Sequence, residues 1–219
     1  CQEPVIGVSF DGTGYGTDGT IWGGEILLAD YQNFIRFGSI TPFLQIGGDA
    51  SAKEGWRIAV SMIYGYTKNR EKAWDIIEKL GLCSEQESKV QFTMADRKIN
   101  AVMSTSAGRL FDAVSAILGI RRQSSFEGEA STALQFAAEE FEQKGKLNGN
   151  EIWDNVQPVI LGLEGRCILN TEALVQLIVE TKLQGADSGA LAYLFHRTLA
   201  EQIVAACKAA REHSGRAKV

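Results

Sequence analysis

Asp11 closes an apolar run, Val5-Ile6-Gly7-Val8-Ser9-Phe10, and glycines follow it at positions 12, 14, 16, 19 and 23. A carboxylate at a strand end offers hard oxygen ligands to a metal or a phosphate-bound cation. Glycine-rich backbone beside it lets main-chain N–H groups approach an anion closely. The same residues also suit a tight β-hairpin in which Asp11 only caps the turn, and residue types alone leave both readings open. Gly108 and Asp112 lie four apart in a helical pattern and therefore share one face. Such a face can receive a flat or polar group such as a ribose; equally, it can be a packing glycine beside a solvated acid. His196 follows Phe195 in an amphipathic pattern with no second histidine at i+3 or i+4, which reads as a structural residue rather than a metal ligand.

These residues depend on their elements. Strands are expected over 5–10, 20–28 and 33–41, with connections short enough for an antiparallel meander. A second glycine-acid stretch, Pro42 to Asp49, reads as a loop leading into a helix over 52–64. Apolar residues at helical spacing predict further helices over 70–80, 84–98 and from the hydroxyl cluster at 104–106 to Gly119. Ser84 and Glu87 form a capping-box pattern. The next helix, 129–144, has Ala130, Ala133, Leu134, Phe136, Ala137 and Phe141 as its expected inner face. An exposed turn region over 145–155 and a hairpin near 156–169 follow, then helices from Asn170 or Thr171 to Leu183 and over 188–213. Strands first and helices afterwards give an α+β class, divided as a strand meander over 1–48 and a mainly helical part over 49–219.

Composition narrows the function classes. A chain of 219 residues that is 45% hydrophobic and 22% charged has enough apolar material for a packed core, which excludes disorder as the main state. A net charge of −5 gives no general basic field for nucleic acid, and Arg121-Arg122, flanked by acidic segments, makes no patch. No apolar run reaches the roughly 18 residues of a membrane span. The cysteines, at 1, 83, 167 and 207, have no C-x-x-C spacing; reduced thiols in a cytoplasmic protein fit them best.

Several motifs stand in one order: Gly7-Val8-Ser9-Phe10-Asp11-Gly12-Thr13-Gly14-Tyr15-Gly16, then Gly47-Gly48-Asp49 with Lys53-Glu54, then Ser106-Ala107-Gly108-Arg109-Leu110-Phe111-Asp112-Ala113-Val114, then Phe126-Glu127-Gly128-Glu129-Ala130, and Phe195-His196. This order resembles the C-terminal carbamoyltransferase domain of the hydrogenase-maturation HypF family over nearly the whole chain. The resemblance implies a lobe of the actin-like, ribonuclease-H-like ATPase superfamily, related to tRNA threonylcarbamoyladenosine transferase. It implies ATP and carbamoyl-adenylate as nucleotide ligands and transfer of the carbamoyl group to the C-terminal cysteine of a HypE partner, on the way to the cyanide ligands of [NiFe]-hydrogenase. By motif position it implies Asp11 as a ligand of a divalent metal (iron or zinc), Thr13 and Gly14 beside phosphates, and Gly108, Asp112 and Gly128 around the adenosine. Rival readings are an O-carbamoyltransferase acting on a small-molecule hydroxyl and a non-catalytic nucleotide-binding or interaction module.

The sequence departs from that family's pattern. The family's H-x-x-x-H metal pair precedes the first strand, and a glycine-rich nucleotide segment with a further metal-binding Asp follows the last helix; none of the three stands here. The expectation is a fragment whose metal site is incomplete, without transferase activity by itself, and whose open sheet edge favours a dimer.

Overall fold

The computed structural model describes residues 3–145, 159–161, 165–216 and 218–219. Among the described residues one mixed sheet contains β1 (Val5–Tyr15), β2 (Ile21–Ala29), β3 (Phe34–Ile40), β4 (Phe43–Ile46), β5 (Ala101–Ser104), β6 (Val159–Leu161) and β7 (Cys167–Leu169). The helices are α1 (Ala50–Lys53), α2 (Gly55–Thr67), α3 (Arg70–Lys79), α4 (Glu85–Arg97), α5 (Ala107–Ile117), α6 (Glu129–Gln143), α7 (Thr171–Leu183) and α8 (Ser188–Ser214). The fold is α+β.

β1, β2 and β3 form the expected antiparallel meander, with Ile6, Ile26 and Leu28 facing the core. Its first hairpin differs from expectation. β1 does not stop at Phe10 but resumes its pairing, Gly14 opposite Trp22 and Tyr15 opposite Ile21, after Phe10 has paired Gly24. Asp11, Gly12 and Thr13 therefore face Gly23 alone in a bulge, and Asp11 lies inside the strand instead of at its end. The reversal of the chain falls later, where Gly19 takes φ +77° and the Gly16 N–H donates to the Thr20 carbonyl at 2.9 Å.

The stretch expected as a loop before the first helix contains β4, which pairs antiparallel with β5 from Phe43–Ser104 to Ile46–Ala101. An apolar run of four residues has no periodicity to separate strand from loop, and its partner is distant in sequence. β5 in turn lies parallel to β2 at Ile21–Ser104, so the helix expected from 104–106 begins only at Ala107. β7 runs parallel to β3 and antiparallel to β6, giving the expected hairpin. The turn region expected over 145–155 lies outside the described residues except for Gly145, as do residues 156–158 and 162–164 of the hairpin.

The helices follow their sequence signals closely. Ser84 and Glu87 complete the capping box: the Ser84 N–H donates to Glu87 Oε2 at 2.8 Å and the Glu87 N–H to Ser84 Oγ at 3.3 Å. Asn170 caps α7. On α6, Ala130 and Leu134 are buried as expected, but Phe136 is 61% exposed. Two helical steps from Leu134 turn it about 200° away from the face that packs on α5 and α8. The core gathers Trp56, Ile58, Ile63, Leu110, Val114, Ile117 and Phe195, all at most 1% exposed. No described helix is long and apolar enough to cross a membrane.

Candidate nucleotide site

The bulge in β1 meets the N-terminus of α5. β5 delivers Ser104 and Thr105 directly to the helix, and Ser106 is its N-cap: its Oγ accepts from the Arg109 N–H at 3.1 Å and donates to the Gly12 carbonyl. Glycine is needed on both sides of this junction. A Cβ at Gly108 would lie 2.8 Å from Gly12 Cα, and one at Gly23 would lie 2.6 Å from the Asp11 carbonyl oxygen and 3.1 Å from Ser106 Cα. Main chain thus packs on main chain where the bulge, β2 and α5 converge. Apolar burial of Leu110, Val114 and Ile117, worth roughly 2 kcal/mol per side chain, anchors the rest of α5.

One turn into α5, Asp112 is 6% exposed, with its Oδ2 3.1 Å from Arg109 Nη1. Burial pushes its carboxyl up to about 6, against the opposing pull of the Arg109 guanidinium. Asp112 Oδ2 and Arg109 Nε and Nη1 are buried without a hydrogen-bond partner. The main chain of Asp112 is closely packed as well, since a Cβ at Gly55 would lie 2.6 Å from its carbonyl oxygen. Gly108 abuts the β1 bulge and Asp112 lies one turn further along the same helix, and its burial rules out the solvated-acid reading.

A polar network missing from the sequence reading fixes the hairpin. Arg36 donates from Nε to Glu25 at 2.6 Å, from Nη1 to Asp18 at 3.0 Å and from Nη2 to Thr105 Oγ1 at 3.1 Å, and stacks over the Trp22 ring. Glu25, 2% exposed, also accepts from Thr105 Oγ1 and from the Gly23 N–H at 3.3 Å. Asp18 accepts from Thr20 and Trp22. These hydrogen bonds and Arg36 outweigh the upward push of partial burial and hold its carboxyl below the usual range. A carboxylate inside the apolar strand IWGGEILLA was the visible signal.

The remaining expected site residues are placed differently. Thr13 is exposed within the bulge, and a Cβ at Gly14 would lie 2.9 Å from the Trp22 carbonyl oxygen, so pairing with β2 already accounts for that glycine. Gly128 caps α6 at φ +79°, where a Cβ would meet only Ser131 Oγ at 3.9 Å. A turn-forming glycine explains it, and no close approach joins it to Gly12 or Gly108. Asp11 is exposed, and its Oδ1 accepts from the Gly12 N–H at 2.5 Å. Among the described residues no three His, Cys, Asp or Glu side chains gather to hold a metal ion. The donor set around Asp11 does not make a divalent-metal site, which takes four or more ligands. His196 donates from Nδ1–H to the Ala192 carbonyl at 2.8 Å and packs on Phe111, a structural role as expected. A separate cavity of about 520 Å³, lined by Phe43, Met62, Tyr64, Tyr66, Met103 and Val175 among others, contains none of the residues of this junction.

Residues 7–219 match the family model described as "Carbamoyltransferase, Kae1-like Domain, second subdomain". The chain belongs to the HypF carbamoyltransferase family. It is similar to the probable carbamoyltransferase HypF of Methanocaldococcus jannaschii, 34% identical over 91% of this chain and 24% of that protein. The HypF homologue of Cupriavidus necator is 35% identical over 97% of this chain and 52% of its own length. Among solved structures, full-length HypF in its phosphate- and nucleotide-bound form superposes with a TM-score of 0.82 at 27% identity, covering 99% of this chain and 26% of that one. The match thus spans about a quarter to a half of the length of these three HypF proteins, and the fold is that of the HypF Kae1-like domain.

Proposed function

We propose that this chain forms a nucleotide-facing lobe of a cytoplasmic HypF carbamoyltransferase, with the junction of Gly12, Gly108 and Asp112 directed at ATP or carbamoyl-adenylate. The observation that carries the reading is the backbone contact between Gly12 and Gly108, which leaves a buried carboxylate, Asp112, one helical turn along α5 from bulged glycine backbone. Support comes also from the nucleotide-bound HypF to which the fold is similar. In this reading the bulged backbone lies toward the phosphates and Asp112 accepts from ribose hydroxyls.

In the transfer step, the thiolate of a C-terminal cysteine on a HypE-like acceptor attacks the carbonyl carbon of carbamoyl-adenylate. A C–S bond forms, the C–O bond to the phosphate breaks, and AMP leaves with the electron pair. The role of this lobe is binding and orientation of the leaving nucleotide, which lowers the barrier by holding the reacting carbon in one place. No step is assigned to Asp11.

The outer edge of β1 is engaged where the Ile6 N–H donates to the Lys218 carbonyl at 2.8 Å. Beyond that point a second copy of the chain has a strand edge to pair with, and sedimentation of the isolated chain as a clean monomer would contradict such a dimer.

The function is tested by incubating an intact HypF protein containing this chain with carbamoyl phosphate, ATP and a HypE-like acceptor, and following the acceptor by mass spectrometry. Modification of the C-terminal cysteine is expected. Carbamoylation of a small-molecule hydroxyl instead, or nucleotide binding without any transfer, would overturn it.

A further inference from the structure

We infer that Arg109 is the cationic half of this site, binding the phosphate end of the nucleotide whose ribose Asp112 holds; the inference rests on the nucleotide reading above. Arg109 is 9% exposed, yet its Nε and Nη1 are buried with no hydrogen-bond partner. Its counterpart Asp112 Oδ2 is in the same condition: the two are 3.1 Å apart but not aligned as donor and acceptor. A buried guanidinium that served only the fold would spend its donors on neighbouring acceptors, because an unsatisfied buried polar atom is costly. Here both charges keep capacity in reserve, and the two capacities are complementary: spare N–H donors for an oxyanion, a spare lone pair for a hydroxyl.

Position gives the order of the ligand along the site. Arg109 Nη2 lies toward the β1 bulge, 3.9 Å from where a Cβ on Gly12 would stand, while Asp112 is one turn further along α5. The anionic part of a ligand therefore meets Arg109 at the glycine backbone, and the hydroxyl-bearing part meets Asp112. Guanidinium is suited to this because its planar fork binds phosphate oxygens in pairs, which an ammonium does not.

The test is calorimetric titration of an intact HypF protein containing this chain, wild type, Arg109→Gln and Arg109→Lys, with AMP and with adenosine. Arg109→Gln is expected to lose about tenfold or more in affinity for AMP while adenosine binding stays within about twofold. Arg109→Lys, which keeps the charge and guards against a folding defect, is expected to fall between. Equal losses for AMP and adenosine, or no loss for AMP, would overturn the assignment of Arg109. If the folded wild-type protein binds neither ligand, the nucleotide reading itself fails.

Discussion

Gly12 and Gly108 touch backbone to backbone: a Cβ on Gly108 would lie 2.8 Å from Gly12 Cα. The contact joins the β1 bulge to the first turn of α5, and there is no flexible side chain on the other side to give way. Gly108→Ala is expected to destabilise the chain by about 1–3 kcal/mol through forced separation of the two segments. Urea unfolding measures this. A loss below roughly 0.5 kcal/mol would mean that the junction is looser than its geometry indicates.

Glu25 and Arg36 are a buried pair, with side chains 3% and 12% exposed. Removing one partner leaves the other charge buried, so Glu25→Gln or Arg36→Met alone is expected to cost about 3–5 kcal/mol. The double substitution should cost clearly less than the two singles together. Strict additivity in a double-mutant cycle would show that the pair is not coupled.

The legible and illegible parts of the sequence divide along the same line. Asp11 with its glycines, and Gly108 four residues before Asp112, stand out in the sequence because each signal is local. The caps at Ser84 and Asn170 were visible for the same reason. The Glu25–Arg36 pair was not, since the two meet only through the register of β2 on β3, which a bulge shifts between Ile26 and Leu27. β4 is not legible because its partner strand lies far along the chain, and the glycines after Asp11, which usually mark a turn, here make a bulge inside the strand. Gly128 caps α6 at positive φ, a conformation that the glycine itself signals in the sequence.

Asp112 supplies a pH dependence. Its carboxyl is raised by burial from 3.8 to about 6 in the fold. The protonated form is therefore the one the fold favours. The stability contributed is fully present below 3.8 and is lost as the pH rises through about 6, by up to about 3 kcal/mol. Comparing unfolding free energies of the wild type and Asp112→Asn from about pH 4 to about pH 7 isolates this contribution, because the variant lacks the titrating group. Parallel curves for the two proteins would show that Asp112 titrates normally.

Ser84→Ala provides a contrast at a distance from the site. Loss of the capping box should cost about 1 kcal/mol in thermal or urea unfolding. Nucleotide affinity should not move, since Ser84 caps α4 and touches none of the junction residues. A matching loss of affinity would indicate that binding follows global stability and not the junction.

The most direct measurement is the affinity of an intact HypF protein containing this chain for ATP, with Asp112→Ala and Ser84→Ala compared with the wild type by calorimetry under conditions where all three are folded. Loss of a charge-assisted hydrogen bond to the ribose predicts about tenfold or more weaker binding for Asp112→Ala and wild-type binding for Ser84→Ala. Unchanged ATP affinity in Asp112→Ala would contradict a nucleotide site at the Gly12–Gly108–Asp112 junction.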